Sequence, residues 1–298
     1  MVPTPAPIDD PVASLPPGHP VDLGERGTTW VRELPGPPGA ATVLLLHGWS
    51  VTADLNWFTS YAALAERYHV IAMDHRGHGR GIRPPGGAVR LEDCADDAAA
   101  LLGALGVAQA IVVGYSMGGP IAQLVWRRHP EVVAGLVLCA TARHFQGGPL
   151  SALWYRSYGG LGRLAAATPS RAGATMRRLA DRKVAGSGRA DWMRTELYRS
   201  DPAGVLTAMA SLGRFRSNRW IGQVDVPTAV VVTGKDRTVL AGRQRALARA
   251  VPGATVHEVD GGHDVCVTDP PRFLPAFLEA CDSVVGRLHG EPEDRVAR

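Results

Sequence analysis

The stretch IVVGYSMGG (residues 111–119) determines the fold more clearly than any other part of the 298-residue chain. Its β-branched start predicts a buried strand, and residues 117–129 predict a helix directly after it. Between them lies Gly-x-Ser-x-Gly, the spacing of a nucleophile elbow, which holds a serine on a sharp, strained turn. We expect Gly114 and Gly118 to allow a close approach of strand and helix, with Ser116 Oγ above the helix N-terminus. The pattern also occurs by chance, in which case the serine is an ordinary turn residue; the strand–turn–helix context favours a nucleophile.

Short aliphatic runs alternate with amphipathic stretches on both sides of this elbow. Most of the runs are apolar throughout, which is typical of parallel strands covered on both faces. The predicted strands are 28–34, 41–46, 69–73, 110–113, 135–140, 228–232 and 254–259. The predicted helices are 54–67, 91–105, 117–129, 241–251 and 271–287. The alternation predicts an α/β fold with a doubly wound, mostly parallel sheet.

One long segment interrupts the alternation. Residues 143–221 contain no convincing strand, and we expect several short helices there, with glycine-rich breaks at 159–162. The first twenty residues contain seven prolines, which disfavour a helix or an inner strand. The predicted organisation is a flexible N-terminal segment (1–20), an α/β core (21–142 and 222–287), an inserted helical cap (143–221) and a flexible tail (288–298).

Composition and charge limit the classes of protein. Apolar residues make up 45% of the chain and charged residues 20%, which are globular values. The net charge of +4 raises the question of nucleic acid, but no recognition motif accompanies it, so we expect none. The longest aliphatic runs are about five residues, whereas a membrane span needs about twenty. The N-terminus has no apolar region of the kind found in secretory signals, so we expect a soluble, cytoplasmic protein without a transmembrane segment.

Two further motifs follow strands. Residues 44–49 (LLLHGW) are a strand that ends in His-Gly-x, and residues 74–79 (DHRGHG) follow the next strand. Together with the elbow, they resemble the α/β-hydrolase superfamily, in its serine-ester-hydrolase-like branch, over roughly residues 21–287. The second motif is similar to the family's D-x-R-G-x-G turn, although Gly81 stands where relatives often have serine. His75 and His78 could be imagined as metal ligands, but the family motif explains them without a metal, and we expect no metal site.

A serine nucleophile needs a base, and the base needs a carboxylate that orients it. The resemblance implies the chain order serine, aspartate, histidine. Asp236 follows the predicted strand 228–232, and His263 follows the last strand, so both lie at the sheet edge that carries Ser116. Leu240 stands where relatives often have proline. The competing acids are Asp225, Asp260 and Asp264, of which the last would require an awkward fold-back to reach the neighbouring histidine.

The resemblance implies a cofactor-independent serine hydrolase that acts on carboxylic esters. In this family the backbone N–H groups of Trp49 and Met117 would form the oxyanion hole, and His47 would hold a loop. Relatives with aspartate at the nucleophile position, the epoxide hydrolases and haloalkane dehalogenases, are disfavoured by Ser116. Cofactor-free haloperoxidases, thioesterases, C–C bond hydrolases and acyltransferases keep the serine and remain alternatives, as does, less readily, a non-catalytic ligand-binding member.

The cap segment has an unusual composition. Residues 143–221 hold 14 basic residues against 4 acidic ones, and 8 of the 18 aromatic residues of the chain. The aromatics fit an apolar pocket for a small-molecule ester or acyl substrate, or they only pack the cap on the core. As pocket residues we predict Tyr115, Trp154, Tyr158 and Trp192. The arginines are either solvated or attract an anionic amphiphile or surface weakly. The oligomeric state is not predicted.

Overall fold

The computed structural model describes residues 15–185, 189–288 and 290. Within these residues the strands are β1 (Gly18–Asp22), β2 (Thr28–Leu34), β3 (Thr42–Leu46), β4 (His69–Met73), β5 (Ala110–Tyr115), β6 (Val133–Cys139), β7 (Thr228–Thr233) and β8 (Thr255–Val259). They form one eight-stranded sheet in the order β1-β2-β4-β3-β5-β6-β7-β8. The strands from β3 to β8 pair in parallel, and β2 pairs antiparallel with β1 and β4. The predicted fold class is confirmed.

The inner strands are buried on both faces. Residues 43–46 of β3 are fully buried, and their side chains alternate between two hydrophobic clusters on opposite sides of the sheet. The same alternation holds in β5, where Val112 joins one cluster and Ile111 and Val113 join the other. This explains why the strands are apolar throughout instead of alternating with polar residues.

Eleven α-helices, within the described residues, cover the sheet and form the insertion. They are α1 (Ala53–Trp57), α2 (Tyr61–Ala65), α3 (Leu91–Ala104), α4 (Gly118–Arg128), α5 (Pro149–Ala167), α6 (Pro169–Val184), α7 (Ala190–Tyr198), α8 (Pro202–Arg214), α9 (Ala241–Ala248), α10 (Val265–Thr268) and α11 (Pro270–Leu288). The single helix predicted over 54–67 is instead two short ones. The break coincides with Thr59, whose hydroxyl donates to the Cys266 carbonyl, 2.7 Å away. None of the helices in the described ranges has the length and apolarity needed to cross a membrane.

The N-terminal segment that we predicted to be flexible contains the start of a strand. Strand β1 begins at Gly18, inside the segment 1–20 that we expected to be a flexible lead-in; residues 1–14 lie outside the described part of the chain. Pro20 is tolerated because β1 is the edge strand, where proline's missing donor need not leave a gap in the ladder. At the other end, α11 extends to Leu288, while residues 289 and 291–298 of the predicted tail lie outside the described residues.

Helices α5 to α8, between β6 and β7, are called the cap helices below. The expected glycine-rich breaks at 159–162 do not occur, because α5 runs through them without interruption. Of these glycines, Gly162 serves packing, because a Cβ on it would lie 2.5 Å from Thr207 of α8. A Cβ on Gly213 of α8 would likewise overlap the side chain of Tyr155. Small residues therefore let α5 and α8 approach closely, and this contact outweighs the low helix propensity of glycine.

A buried ionic cluster attaches the cap helices to the core. Glu196 of α7 is 2% exposed and accepts from Arg80 Nη2 at 2.9 Å and from the Thr52 hydroxyl at 3.2 Å. Arg80 also approaches Asp54, whose carboxylate accepts two hydrogen bonds from Arg32. Burial raises the pKa of Glu196 despite the neighbouring arginines. The guanidinium of Arg80 thus compensates two carboxylates, one from the core and one from the cap.

We predict that Arg80→Met lowers the free energy of unfolding by about 2–3 kcal/mol, because the buried carboxylates of Glu196 and Asp54 each lose one of their two arginine partners. Arg90→Met is the matched control, since the exposed Arg90–Glu92 pair, 3.7 Å apart, should contribute no more than about 1 kcal/mol. Chemical denaturation followed by circular dichroism measures both. Equal losses in the two variants would show that the cluster does not hold the cap.

Candidate active site

The elbow holds Ser116 between β5 and α4. Its φ of +52° is left-handed, a conformation that costs a non-glycine residue about 1–3 kcal/mol. Three hydrogen bonds hold the backbone there: the Ser116 N–H donates to Cys139, and the Ser116 carbonyl accepts from the Gly119 N–H and the Thr141 hydroxyl. A Cβ on Gly114 would overlap the Gly118 carbonyl. The close approach predicted from the two glycines is confirmed.

Ser116, His263 and Asp236 form one chain of hydrogen bonds. Ser116 Oγ lies 2.9 Å from His263 Nε2, and His263 Nδ1 lies 2.7 Å from Asp236 Oδ2. A carboxylate only accepts, so Nδ1 carries the proton and Nε2 accepts from the serine hydroxyl. The Asp236 side chain is fully buried, whereas the His263 side chain is 25% exposed. The structure therefore brings together the three residues that the motifs selected.

Asp236 is held as a carboxylate in a polar pocket. Burial alone would raise its pKa, but the hydrogen bond and charge of His263 outweigh this, and the pKa lies below its ordinary value. Oδ1 accepts from the backbone N–H groups of Thr238 and Val239, at 2.7 and 2.8 Å. Oδ2 also accepts from the Thr233 hydroxyl at 2.9 Å. Both oxygens are thus fixed, and the ionised form is favoured.

Gln244 is a positioning residue that the sequence reasoning missed. It is fully buried on α9, and its Nε2 donates to Asp236 Oδ2 at 3.1 Å and to the Thr233 hydroxyl at 2.8 Å. Its Oε1 accepts from the Thr233 N–H at 3.0 Å. A lone glutamine between two arginines gives no signal of this role in the sequence.

The competing acids have other partners. Asp225 accepts from Trp126 Nε1 at 3.0 Å, and Asp260 pairs with Lys235 and Arg272 on the surface. The carbonyl of Asp264 accepts at the start of α10. Within the described residues, Asp236 is the carboxylate that contacts His263.

The two predicted oxyanion donors flank the serine. Met117 follows Ser116 directly and is the N-cap of α4, and Trp49 follows the His47-Gly48 pair after β3. Neither backbone N–H has an acceptor among the described residues. Gly48 is anchored, because its N–H donates to Asn56 Oδ1 at 2.9 Å, and a Cβ built on it would lie 3.5 Å from the Ser116 Cβ. The Trp49 loop is thereby held against the serine.

The Trp49 loop is joined at its base to a buried group of three histidines: His47, His75 and His78. His47 Nε2 accepts from the His75 N–H at 2.9 Å, and its Nδ1 lies 2.7 Å from the Gly48 carbonyl. Burial and the two neighbouring histidines lower the pKa of His47 well below its ordinary value. Burial likewise lowers the pKa of His75 to about 3 and that of His78 to about 4. The lowered pKa values favour neutral imidazoles, and the hydrogen bond between the His75 N–H and His47 Nε2 joins the two motif loops. No group of three possible ligands for a metal ion occurs among the described residues.

The predicted pocket residues divide into two sets. Tyr115 belongs to the hydrophobic cluster on the opposite face of the sheet from the cap aromatics, a position that its parity with Ile111 and Val113 in β5 indicates. Its ring contacts those of Trp57, Phe273 and His263, and its hydroxyl donates to the His263 carbonyl at 2.7 Å, so it supports the histidine, and its role as a pocket residue stays a prediction.

Of the three predicted aromatic residues of the cap, Tyr158 contacts the Trp49 loop directly, and the other two pack on Tyr158 or on Phe58 of the core. The ring of Tyr158 contacts that of Trp49 edge-on, with centroids 6.2 Å apart, and Trp154 packs on Tyr158 at 4.8 Å. Trp192 packs on Phe58 at 5.0 Å. Trp49 also donates from Nε1 to the Val205 carbonyl, so the cap helices contact the loop that carries the candidate oxyanion donor.

Comparison with known proteins identifies the class. The family model described as "alpha/beta hydrolase fold" matches residues 41–270, and the chain belongs to this family. It is similar to a pimeloyl-[acyl-carrier protein] methyl ester esterase of Chromobacterium violaceum, with 31% identity over 80% of this chain and 92% of that protein. It is also 37% identical to a putative carbamate hydrolase, RutD, of Caulobacter segnis, but over only 34% of this chain and 38% of that protein. A thermophilic esterase structure from Thermogutta terrifontis has the same fold, with a TM-score of 0.71, 23% identity and coverage of 90% of this chain and 99% of that one.

We predict that Gln244→Leu lowers the free energy of unfolding by about 1–3 kcal/mol, because the buried Thr233 N–H loses its acceptor. Gln223→Leu, a change of an exposed glutamine that bonds Arg127, is the control and should cost less than about 0.5 kcal/mol. Urea denaturation measures both. A loss in Gln244→Leu no larger than in the control would remove the structural role assigned to this residue.

Proposed function

We propose that the protein is a serine hydrolase that cleaves carboxylic esters through an acyl-enzyme. The observation that carries this is the continuous hydrogen-bond chain from Ser116 through His263 to the buried Asp236. The unpaired N–H groups of Trp49 and Met117 beside the serine, within the described residues, support an oxyanion hole. The full-length similarity to a methyl ester esterase supports the ester as the substrate class. The chemistry requires no cofactor.

In the first half of the reaction, Ser116 Oγ attacks the ester carbonyl carbon. His263 Nε2 takes the hydroxyl proton, and Asp236 stabilises the imidazolium that forms. The carbonyl oxygen becomes an oxyanion that would accept from the N–H groups of Trp49 and Met117; one such donor typically contributes about 100–1,000-fold to the rate. Collapse of the intermediate breaks the ester bond, and the leaving alcohol takes the proton from His263.

In the second half, water replaces the alcohol. His263 Nε2 takes a proton from the water as its oxygen attacks the acyl-enzyme carbonyl. The second tetrahedral intermediate then expels Ser116 Oγ, which recovers the proton, and the carboxylic acid leaves. The strained φ of Ser116 keeps its Oγ in the same position for both steps.

Other acyl chemistry shares this machinery. The same nucleophile and oxyanion hole would serve cleavage of thioesters, cleavage of carbon–carbon bonds next to a carbonyl, and acyl transfer to an acceptor other than water. A haloperoxidase would first form a peracid at the same serine. We favour the ester because of the relative named above. We propose that Tyr158 and Trp192 line the side of the cap that faces the acyl or alcohol group, and that Trp154 supports Tyr158 from the solvent side, with ring centroids 4.8 Å apart. A cytoplasmic location stays a prediction.

We predict that Ser116→Ala abolishes hydrolysis of p-nitrophenyl esters and covalent labelling by a fluorophosphonate, because the nucleophile is absent, while the thermal unfolding midpoint stays within a few degrees. Ser211→Ala, at a buried cap serine that donates no proton to the triad, should label like the wild type. Labelling of the Ser116→Ala protein, or no labelling of the wild type, would contradict catalysis by this serine. A panel of esters, thioesters and acyl acceptors then ranks the alternatives.

We predict that Asp236→Asn lowers kcat by about 10⁴-fold, because an amide that donates to Nδ1 forces His263 into the tautomer that cannot accept from the serine. KM should change little. Asp225→Asn, which keeps a carbonyl acceptor for Trp126, is the matched control and should retain near-wild-type turnover. The assignment fails if the two asparagine variants turn over ester at similar rates.

A further inference from the structure

Helix α5 exposes an apolar face to solvent. Its exposed apolar residues recur at helical spacing, so they form a stripe on one side of the helix. The other side packs against α8 through Gly162 and Tyr155. The stripe consists of residues between 48% and 85% exposed: Leu150, Leu153, Trp154, Leu161 and Leu164. Scattered exposed leucines are ordinary, but a continuous stripe on one helix indicates a contact surface.

The same part of the chain is strongly basic. Residues 149–184, which form α5 and α6, contain seven basic residues and one acidic residue. Six of their arginines have no ion pair in the described part of the chain: Arg156, Arg163, Arg171, Arg177, Arg178 and Arg182. By contrast, Arg194 of α7 pairs with Asp181 and Asp191, and Arg199, directly after α7, pairs with Glu196. Much of the basic excess of the cap therefore lies on α5, which carries the stripe, and on the next helix, α6, without ion-pair partners among the described residues.

Arginines and apolar residues are also neighbours on α6. Arg171, Arg178 and Arg182 recur at intervals of seven and four, which places them on one face of the helix. Leu179, 58% exposed, lies beside that face. Helix α5 thus carries leucines and a tryptophan on one side, and α6 carries arginines beside a leucine. Helices that lie in a lipid interface combine apolar and basic residues in this way.

We propose that the outer face of α5 and α6, called the docking face below, binds an anionic phospholipid surface. The stripe would enter the headgroup region, and the arginines would contact lipid phosphates. A second copy of the chain is the weaker occupant, because pairing two docking faces would set a balance of +6 against another +6. An acidic protein would match the charge but would leave the leucine stripe without an explanation.

The docking face is connected to the proposed active site. Trp154 of the stripe contacts Tyr158 at 4.8 Å, and Tyr158 contacts Trp49 at 6.2 Å between ring centroids. The inference concerns binding and does not depend on catalysis, so Ser116→Ala should bind as the wild type does. Failure of the proposed function and failure of this inference are therefore distinguishable.

The test is sedimentation of the full-length protein with sucrose-loaded vesicles. We expect binding to phosphatidylglycerol–phosphatidylcholine vesicles, reduced but not abolished by 0.5 M NaCl, and little binding to pure phosphatidylcholine. Leu153→Ser/Leu161→Ser/Leu164→Ser should weaken binding at least tenfold through the lost apolar contact, and Arg178→Gln/Arg182→Gln about tenfold through the lost charge. The changed residues are exposed, so circular dichroism and the unfolding midpoint should stay at wild-type values.

Matched controls sit on the core. Arg127→Gln/Arg249→Gln removes the same charge from exposed core arginines, and Leu288→Ser removes an exposed leucine from the end of α11; both should bind like the wild type. Three results would overturn the proposal. One is equal binding to both kinds of vesicle or to neither. The second is binding of poly-glutamate, weakened by the arginine variant alone, without vesicle binding. The third is a concentration-dependent dimer in sedimentation velocity that the leucine variant disperses while vesicle binding is absent.

Discussion

The packing of the start of α4 against the ends of β3 and β5 is the constraint on which the site depends. A Cβ on Gly118 would overlap the carbonyl of Leu46 at the end of β3, and one on Gly114 would overlap the Gly118 carbonyl. Because no side chain separates these backbones, the loop after β3 lies directly beside the elbow. The candidate donors of Trp49 and Met117 therefore come from two loops whose separation is set by backbone contact. Ser116 remains in a left-handed conformation because both flanking elements are fixed in this way.

The remaining site residues are supported by polar contacts at the same edge of the sheet. Asp236 is held by Thr233, Gln244 and two backbone N–H groups, so it does not depend on His263 for its orientation. The backbone of His263 is held by the Tyr115 hydroxyl, which donates to the His263 carbonyl. Each member of the hydrogen-bond chain thus has independent support, which favours a preorganised geometry.

The parts of the fold that the sequence could predict are those determined by local pattern. Residues 43–46 are apolar throughout because both of their faces are buried, and the elbow carries its own spacing. Strand β1 could not be predicted, since its proline is acceptable only at an edge, and edge position is a property of the whole sheet. The continuity of α5 depends on contact with α8, and local propensity at Gly159 and Gly160 indicates the opposite. Gln244 and Glu196 act through distant partners and leave no pattern in the sequence. Tyr115 is different, because strand parity already places it with Ile111 and Val113, on the face opposite to the one that the cap aromatics pack against.

The cap combines two requirements that place different residues on the two sides of α5. The inner side must pack closely on α8, and glycine at 162 and 213 meets that need. The outer side has no such contact within the described residues, yet it carries leucines and a tryptophan where a solvated helix would carry polar residues. Glu196 and Arg80 anchor α7 to the core, while the arginines of α5 and α6 have no carboxylate partner in the part of the chain that the structure describes. Since the anchoring charges are buried and the unpaired arginines are exposed, the basic character of α5 and α6 contributes little to holding the cap in place and is available for the contact that we propose for the docking face.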